Sequence, residues 1–477
     1  MISKIAKLML LSTVMVSFGM LSNSFASVQV KKQGAKTIAP AASGSKVSGD
    51  DKKSSGKATE EKSSEPVNPG VLSSDKAVPP TLKINGFTLF NTYVVNQSNR
   101  TNGKGGAPVH FATDVSDLYF TIAGKAQGVD YMYRVNFQAF PNSSPSVDQN
   151  YIQIKTDAYA FRLGNTVGPE DFAIKDAGSV IGGAGGFETG AYSSVYNLSA
   201  GVIKMNDNIM DTGKSLKIVF LGPEYMGFQF FAAYTPNTAK GGDMEKNNTF
   251  PDNRSIPGNS KGIYPEKSAQ PYGMNNWAFG FNYKVASNLW SLVLSGATVT
   301  ERSFYTVSSK TLPINRFALR NAWAYQLGGV LGYNKWQLGL GYLNNGKARL
   351  PKVANMPLNS SGTVHTGNMH LGNAGQAWNA GLGYTVGAYE FAASYQHFWR
   401  KTDATNRARN NVWSGTVDFN IFQGWKMYFE LDYIKSKTNQ TTVDFANAVN
   451  REFGSNLNQA VGNNAGTVAI LGTKISF

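Results

Sequence analysis

Met427-Tyr428-Phe429-Glu430-Leu431-Asp432-Tyr433 is a run of residues in which apolar and more polar side chains alternate. Successive side chains of a β-strand point to opposite faces of the sheet. The odd-numbered residues of this run therefore share one apolar face, and Tyr428, Glu430 and Asp432 share the other. The run predicts a strand with one apolar and one polar face.

The same alternation recurs from Leu82 to the end of the chain. We count about sixteen such segments, which begin near Leu82, Asp117, Asp130, Asn150, Ala158, Ser215, Gly227, Trp277, Leu289, Ala322, Trp336, Ala377, Tyr389, Val412, Trp425 and Gly466. The connections between them alternate strictly between short and long. Tight hairpins at one membrane surface and long loops at the other are typical of bacterial barrels. An all-β fold is predicted, a transmembrane antiparallel β-barrel with both termini on the short-turn, periplasmic side.

A soluble β-sandwich would also have strands with two different faces. The placement of tryptophan distinguishes the two folds, because an indole ring favours the headgroup level of a membrane. All eight tryptophans lie near strand ends with the parity of the apolar face, which predicts an aromatic girdle formed by Trp277, Trp290, Trp323, Trp336, Trp378, Trp399, Trp413 and Trp425. A sandwich core would favour mid-strand positions instead.

The N-terminus has the features of a secretory signal peptide over residues 1–26. Lys4 and Lys7 form its charged start, 8–19 its apolar centre and 24–26 a small-residue cleavage site. Beyond Ala26 no apolar run approaches the roughly 18 residues that a transmembrane helix needs. We expect export from the cytoplasm and insertion into the bacterial outer membrane as strands.

Residues 27–80 differ in composition from the rest of the chain. From Val28 to Pro80 they contain no Phe, Trp or Tyr, and they carry nine Lys and six Asp or Glu. Such a segment cannot bury enough apolar area to offset the entropy of ordering. We expect a disordered periplasmic tether, which acts as a spacer or touches an anionic cell-wall polymer. The barrel domain is then 81–477.

Together these features resemble the general Gram-negative porin family, over roughly Leu82 to Phe477. The residues that carry the resemblance are the signal peptide, glycine- and tyrosine-rich strands such as 380–384, and the terminal 472–477, which ends in Phe477. The resemblance implies that Phe477 is a signal for barrel assembly. It also implies a homotrimer and a third long loop folded into the barrel. The long tether departs from the family pattern.

A sixteen-strand barrel is wide enough to leave an aqueous channel. The resemblance makes 165–214 the loop that narrows it, with the acidic residues Glu170, Asp171, Asp176 and Glu188 and the flexible glycine run 182–186. Parity places a basic wall beside this loop, on the lumen faces of four successive strands: Lys125, Arg134, Lys155 and Arg162. Opposed charges across a narrow lumen orient polar solutes, although the same cations could instead pair with the loop carboxylates and pin the loop.

The charge balance indicates a mild preference for anions. The formal charge of the chain is +15, and about +10 remains on the barrel after the signal peptide and the tether are subtracted. Inward Glu390, Asp418, Glu430 and Asp432 on later strands argue the other way. We expect a passive diffusion channel for small hydrophilic solutes and ions; the alternative is a structural or adhesive outer-membrane barrel with little open-channel activity.

Catalysis finds little support in the sequence. The four histidines are isolated, and metal-protease, hydrolase and nucleotide-binding motifs are missing. We therefore expect no enzyme activity, no cofactor and no bound metal. The basic residues do not cluster with exposed aromatics, so we expect no nucleic-acid partner either. The absence of Cys excludes a disulfide scaffold.

Overall fold

The computed structural model describes residues 78–98, 109–126, 128–139, 146–189, 195–196, 209, 212–238, 269–309, 312–318, 320–347, 355–359, 362–365, 375–401, 407–438 and 462–477. The predicted signal peptide and all but the last three residues of the predicted tether lie outside this set. None of the helices in these ranges is long and apolar enough to cross a membrane.

Strands dominate the described residues. They are β1 (Val78–Gln97), β2 (Val109–Ala126), β3 (Val129–Ala139), β4 (Ser146–Lys155), β5 (Ala160–Asn165), β6 (Leu216–Tyr225), β7 (Phe228–Asn237), β8 (Ala269–Ala286), β9 (Trp290–Ser309), β10 (Leu312–Ala318), β11 (Ala322–Tyr333), β12 (Trp336–Asn344), β13 (Asn355–Asn359), β14 (Gly362–His365), β15 (Gln376–Val386), β16 (Tyr389–Lys401), β17 (Arg407–Phe422), β18 (Trp425–Lys437) and β19 (Asn463–Ser476).

All of these strands except β13 and β14 form one closed antiparallel barrel, whose wall has sixteen strand positions. Each wall strand pairs with its neighbours in sequence, and β1 pairs with β19 from Phe87↔Ser476 to Gln97↔Gly466, which closes the sheet. β10 and β11 pair with successive parts of β9 and together fill one position in the wall. β13 and β14 form a separate hairpin. The predicted fold class is confirmed.

All sixteen predicted segments correspond to wall strands. The largest differences are at β2 and β8, which begin at Val109 and Ala269 although the alternation indicated Asp117 and Trp277. Both strands continue into sequence without a clear apolar face, because pairing with long neighbours stabilises them there. At the end of the barrel opposite the long loops, the turns are tight. Between β6 and β7, Met226 and Gly227 both have positive φ, at 49° and 81°, as a two-residue hairpin between twisted strands requires.

The two faces of the strands have different surroundings. Outward Phe429 and Leu431 are exposed, whereas inward Tyr428, Glu430 and Asp432 on the same strand are buried. In a closed barrel these outward side chains contact lipid. The inward ones are buried because part of the chain lies inside the barrel.

That part belongs to the connection from β5 to β6, and its described residues, 166–189, 195–196, 209 and 212–215, are called the inner loop. It contains α1 (Pro169–Phe172), a 3₁₀ turn (Ala177–Ser179) and α2 (Gly186–Thr189). α1 packs on β7, β8 and β9, the 3₁₀ turn on β11, β12 and β15, and α2 on β16 and β17. The described part of the inner loop therefore follows the inner wall over much of the barrel circumference.

Candidate channel interior

A patch of glycines lets the inner loop approach the wall closely. The glycine patch consists of inward residues on β11, β12 and β15, namely Gly328, Gly339, Gly341, Gly381 and Gly383. A Cβ at Gly339 would lie 2.7 Å from the Ala177 Cα, and one at Gly383 would lie 2.7 Å from a Val180 methyl. Backbone therefore packs on backbone here, which only glycine permits.

Farther along, hydrogen bonds fix the inner loop to β17 and β18. The N–H groups of Gly183 and Ala184 donate to Asp418 Oδ1 and Glu430 Oε2, both at 2.7 Å, and the Gly186 N–H donates to Glu430 Oε2 at 3.2 Å. Lys426 pairs with Asp418 at 2.5 Å. We call Asp418 and Glu430 the carboxylate anchor. Asp418 is paired with a cation, and hydrogen bonds to an ionised acceptor are stronger than those between neutral groups.

Two of the four predicted loop carboxylates help to hold the loop in place. Glu170 is fully buried, and its Oε1 accepts hydrogen bonds from the Thr212 N–H at 3.0 Å and the Thr212 hydroxyl at 2.6 Å. Asp176 caps the 3₁₀ turn by accepting from the Gly178 N–H, and it also accepts from Asn379 Nδ2 at 2.7 Å on β15. Burial raises the pKa of Asp176 to about 6. Asp171 and Glu188 are half-buried, in α1 and α2.

The four predicted basic residues fall into two groups. The Arg134 guanidinium lies 4.3 Å from the centre of the Tyr119 ring, and that of Arg162 lies 5.5 Å from the Phe172 ring of α1. Arg162 thus contacts the inner loop, and Arg134 lies near Arg162 on the neighbouring wall. Lys125 and Lys155 are exposed at the short-turn rim, where both are register partners of Asp130. Parity gave their face of the sheet but not their height along the barrel.

Sequence reasoning missed the partners of the loop. Asp418 and Glu430 were noted as inward, but not as residues that bind loop backbone, and Asn379 was not singled out. A usable signal exists: the run 182–186 offers free N–H groups, and inward carboxylates on two adjacent strands are acceptors that must find partners when buried.

The tryptophans form two outward rows. Near the short turns are Trp290, Trp336 and Trp425; toward the long loops are Trp277, Trp323, Trp378, Trp399 and Trp413. Neighbouring rings extend the second row, for example Tyr395, which lies 5.0 Å from both Trp378 and Trp413 between ring centres. All eight lie on strands between β8 and β18. The wall formed by β19 and β1 to β7 contains no tryptophan.

At the closing seam, Phe477 extends the last strand by one residue. Its N–H and carbonyl exchange hydrogen bonds of 3.0 Å with Gly86, and its ring is exposed. In the described residues, no three His, Asp or Glu side chains are grouped so that they could hold a metal ion.

The family described as Gram-negative porin matches residues 73–439. Solved structures match with low identity: OmpT, an outer membrane protein of Vibrio cholerae described as a trimer form (12% identity, 84% of this chain, 100% of that chain, TM-score 0.47), and an anion-selective porin from Comamonas acidovorans (12%, 83%, 100%, TM-score 0.47). A mutant of the Rh. blastica porin is similar (13%, 83%, 100%, TM-score 0.44). The comparison with curated proteins gave no match.

Proposed function

Because the chain belongs to the Gram-negative porin family, we propose that it is a water-filled channel through the bacterial outer membrane for passive diffusion of small hydrophilic solutes and ions. The observation that supports this most strongly is the inner loop, which is anchored to the barrel wall by the glycine patch and the carboxylate anchor. A barrel of this size with a fixed loop inside has a lumen that is narrowed and not closed.

We propose a mild preference for anions. Arg134 and Arg162 lie in the interior, whereas Glu170 and Asp176 are buried in loop contacts and Glu430 accepts two backbone N–H bonds. Positive groups therefore remain more available to passing ions than negative ones.

The test is single-channel conductance of the refolded full-length mature protein in a planar bilayer, with a salt gradient to give the reversal potential. Large stable steps and an anionic reversal potential are expected. Steps of cationic sign would contradict the selectivity, and silence from correctly folded protein would favour a structural or adhesive barrel.

We further propose a homotrimer in which the wall of β19 and β1 to β5 meets the neighbouring subunits. Outward residues there are large and apolar, including Ile84, Phe111 and Ile152, yet indole anchors for the lipid interface are missing. The chain has no Cys, so single cysteines can test this. Because residue i meets a different residue of the neighbour in a cyclic trimer, the readout is protection: Ile152→Cys should be shielded from a maleimide in the assembled protein, whereas equally outward Leu340→Cys on β12 should react.

The termini complete the proposal. Cleavage near Ala26 would leave the predicted tether, shortened to residues 27–77 because β1 begins at Val78, free to contact the cell wall. Phe477 would serve as the assembly signal at the end of β19. N-terminal sequencing of protein from outer membranes should begin at Ser27.

A further inference from the structure

A row of buried polar side chains crosses three strands beneath the inner loop. Ser394 on β16 is the register partner of Ser414 on β17, and Ser414 is the partner of Asp432 on β18. Directly opposite side chains in such pairs have Cβ atoms roughly 4.5–5.5 Å apart. Glu430 lies two residues from Asp432 on the same face, and the two carboxyl groups contact each other. These four side chains form one continuous polar surface.

The burial of this surface is nearly complete. Glu430 and Asp432 are 0% exposed, and Ser414 and Ser394 are 4% and 8% exposed. The inner loop covers them at Gly186, where a Cβ would lie 2.9 Å from Ser414 Oγ. Any ligand of these groups is therefore enclosed between wall and loop.

In the unprotonated state, five oxygen atoms on this surface accept no hydrogen bond of good geometry from the described residues: Glu430 Oε1, both carboxylate oxygens of Asp432, Ser414 Oγ and Ser394 Oγ. Glu430 and Ser414 both lie close enough to Asp432 to share a proton with it. The nearby Lys426 already pairs with Asp418. Two carboxylates in contact at a buried site need positive charge between them. A proton shared by Glu430 and Asp432, with the Ser414 hydroxyl donating to Asp432, would leave Ser394 unsatisfied. A metal cation can instead be coordinated by Glu430, Asp432 and Ser414 together.

We propose that Glu430, Asp432 and Ser414, with Ser394 at the edge, bind a hard divalent cation of the calcium type. Oxygen-only ligands select such cations, and calcium tolerates irregular geometry better than magnesium does. With only two carboxylates the site is weak, with a dissociation constant on the order of 10⁻⁴–10⁻³ M. The bound ion joins β16, β17 and β18 behind the carboxylate anchor and so fastens the inner loop. This proposal does not depend on the channel's selectivity.

The test uses full-length mature protein refolded without lipopolysaccharide, stripped with a chelator, and then titrated with calcium or terbium at neutral pH. Calcium should raise the unfolding temperature by about 2–4 °C, and terbium bound near Tyr428 should give sensitised luminescence that calcium displaces. Asp432→Asn should abolish both responses, and Asp130→Asn at the exposed rim should retain them.

Three results would overturn the proposal. If neither calcium nor terbium changes the unfolding temperature or luminescence of the wild type, a shared proton alone neutralises Glu430 and Asp432. An equal response in Asp432→Asn would mean that the ions bind elsewhere. If Asp432→Asn does not fold, Ser414→Ala serves instead, because removal of one hydroxyl ligand should weaken terbium binding several-fold; an unchanged affinity would contradict the site.

Discussion

The glycine patch and the carboxylate anchor hold the same inner loop in physically different ways. At the patch, Ala177 and Val180 pack against positions that have no side chain, so the contact is steric and independent of charge. At the anchor, Asp418 and Glu430 accept hydrogen bonds from the glycine run, so the contact is electrostatic. Steric fit at the glycine patch therefore determines where the loop lies, and the hydrogen bonds of the carboxylate anchor determine how firmly the glycine run 182–186 is held.

Gly339→Val should have the largest effect, because it breaks the steric contact. The new Cβ would lie 2.7 Å from Ala177 Cα, and backbone cannot move aside as a flexible side chain can. We expect a displaced loop, a rise in single-channel conductance larger than for the variants below, and a loss of about 1–3 kcal/mol in the free energy of unfolding.

Two further glycines provide controls for that variant. Gly381→Ala places a Cβ 3.1 Å from the Ala177 Cβ and should produce a smaller change. Gly415→Val has no atom within 4 Å of the added Cβ and should leave conductance unchanged. Equal effects at Gly339 and Gly415 would mean that the patch does not position the loop.

Glu430→Gln should have the next largest effect, because it weakens the anchor and leaves the patch intact. The amide oxygen can still accept from Ala184 and Gly186, but without the charge each bond is weaker by about 1 kcal/mol. We expect the mean conductance to persist while brief closures become more frequent, as measured in single-channel records with chelator present. Glu390→Gln on β16 removes a carboxylate near the short turns, and its closures should be as infrequent as those of the wild type.

Removal of the two interior arginines should alter selectivity without changing how the loop is held. In Arg134→Gln/Arg162→Gln the reversal potential should shift toward cations, because Arg162 contacts the loop and Arg134 lies near Arg162. The matched Lys125→Gln/Lys155→Gln pair at the exposed rim should shift it less, since salt screens exposed charges. A larger shift for the rim pair would reverse the assignment.

The smallest expected effect is that of pH on the patch. The folded-state pKa of Asp176 is raised to about 6 by burial, above its value in an unfolded chain. The protonated form of Asp176 therefore stabilises the docked loop at low pH, and this stabilisation is lost as pH rises through 6. Lys175 is its charged neighbour, and Asn379 and Gly178 donate to it. We expect a few-fold fewer closures at pH 5 than at pH 7.5, and a smaller difference in Asp176→Asn.

Much of the wall could be predicted from the sequence, because alternation is a local property. Phe429, Leu431 and their neighbours were assigned to the correct face, and each predicted segment corresponds to a strand. Strand ends were less accurate at Val109 and Ala269, where neighbouring strands and not the residues themselves prolong the pairing. The local alternation of residues therefore determines which face of the wall each side chain occupies, and pairing with neighbouring strands determines where each strand ends.

The interior was harder to predict, because its contacts are not local. Gly183 meets Asp418, and Ala184 meets Glu430, across more than two hundred residues of sequence. Parity predicted that Lys125 and Lys155 point inward, but it could not show that they lie at the exposed rim. The glycine patch was visible only as tyrosine- and glycine-rich strands, since the purpose of a missing side chain appears only when the opposing backbone is known.

The seam between β1 and β19 has a consequence for biogenesis. It joins β1 to β19, so one edge of the first strand of the sheet has no partner until β19 is available. Unpaired backbone is very costly in a bilayer. A barrel without β19 would therefore stay open at one edge, and closure itself reports that β19 has been delivered.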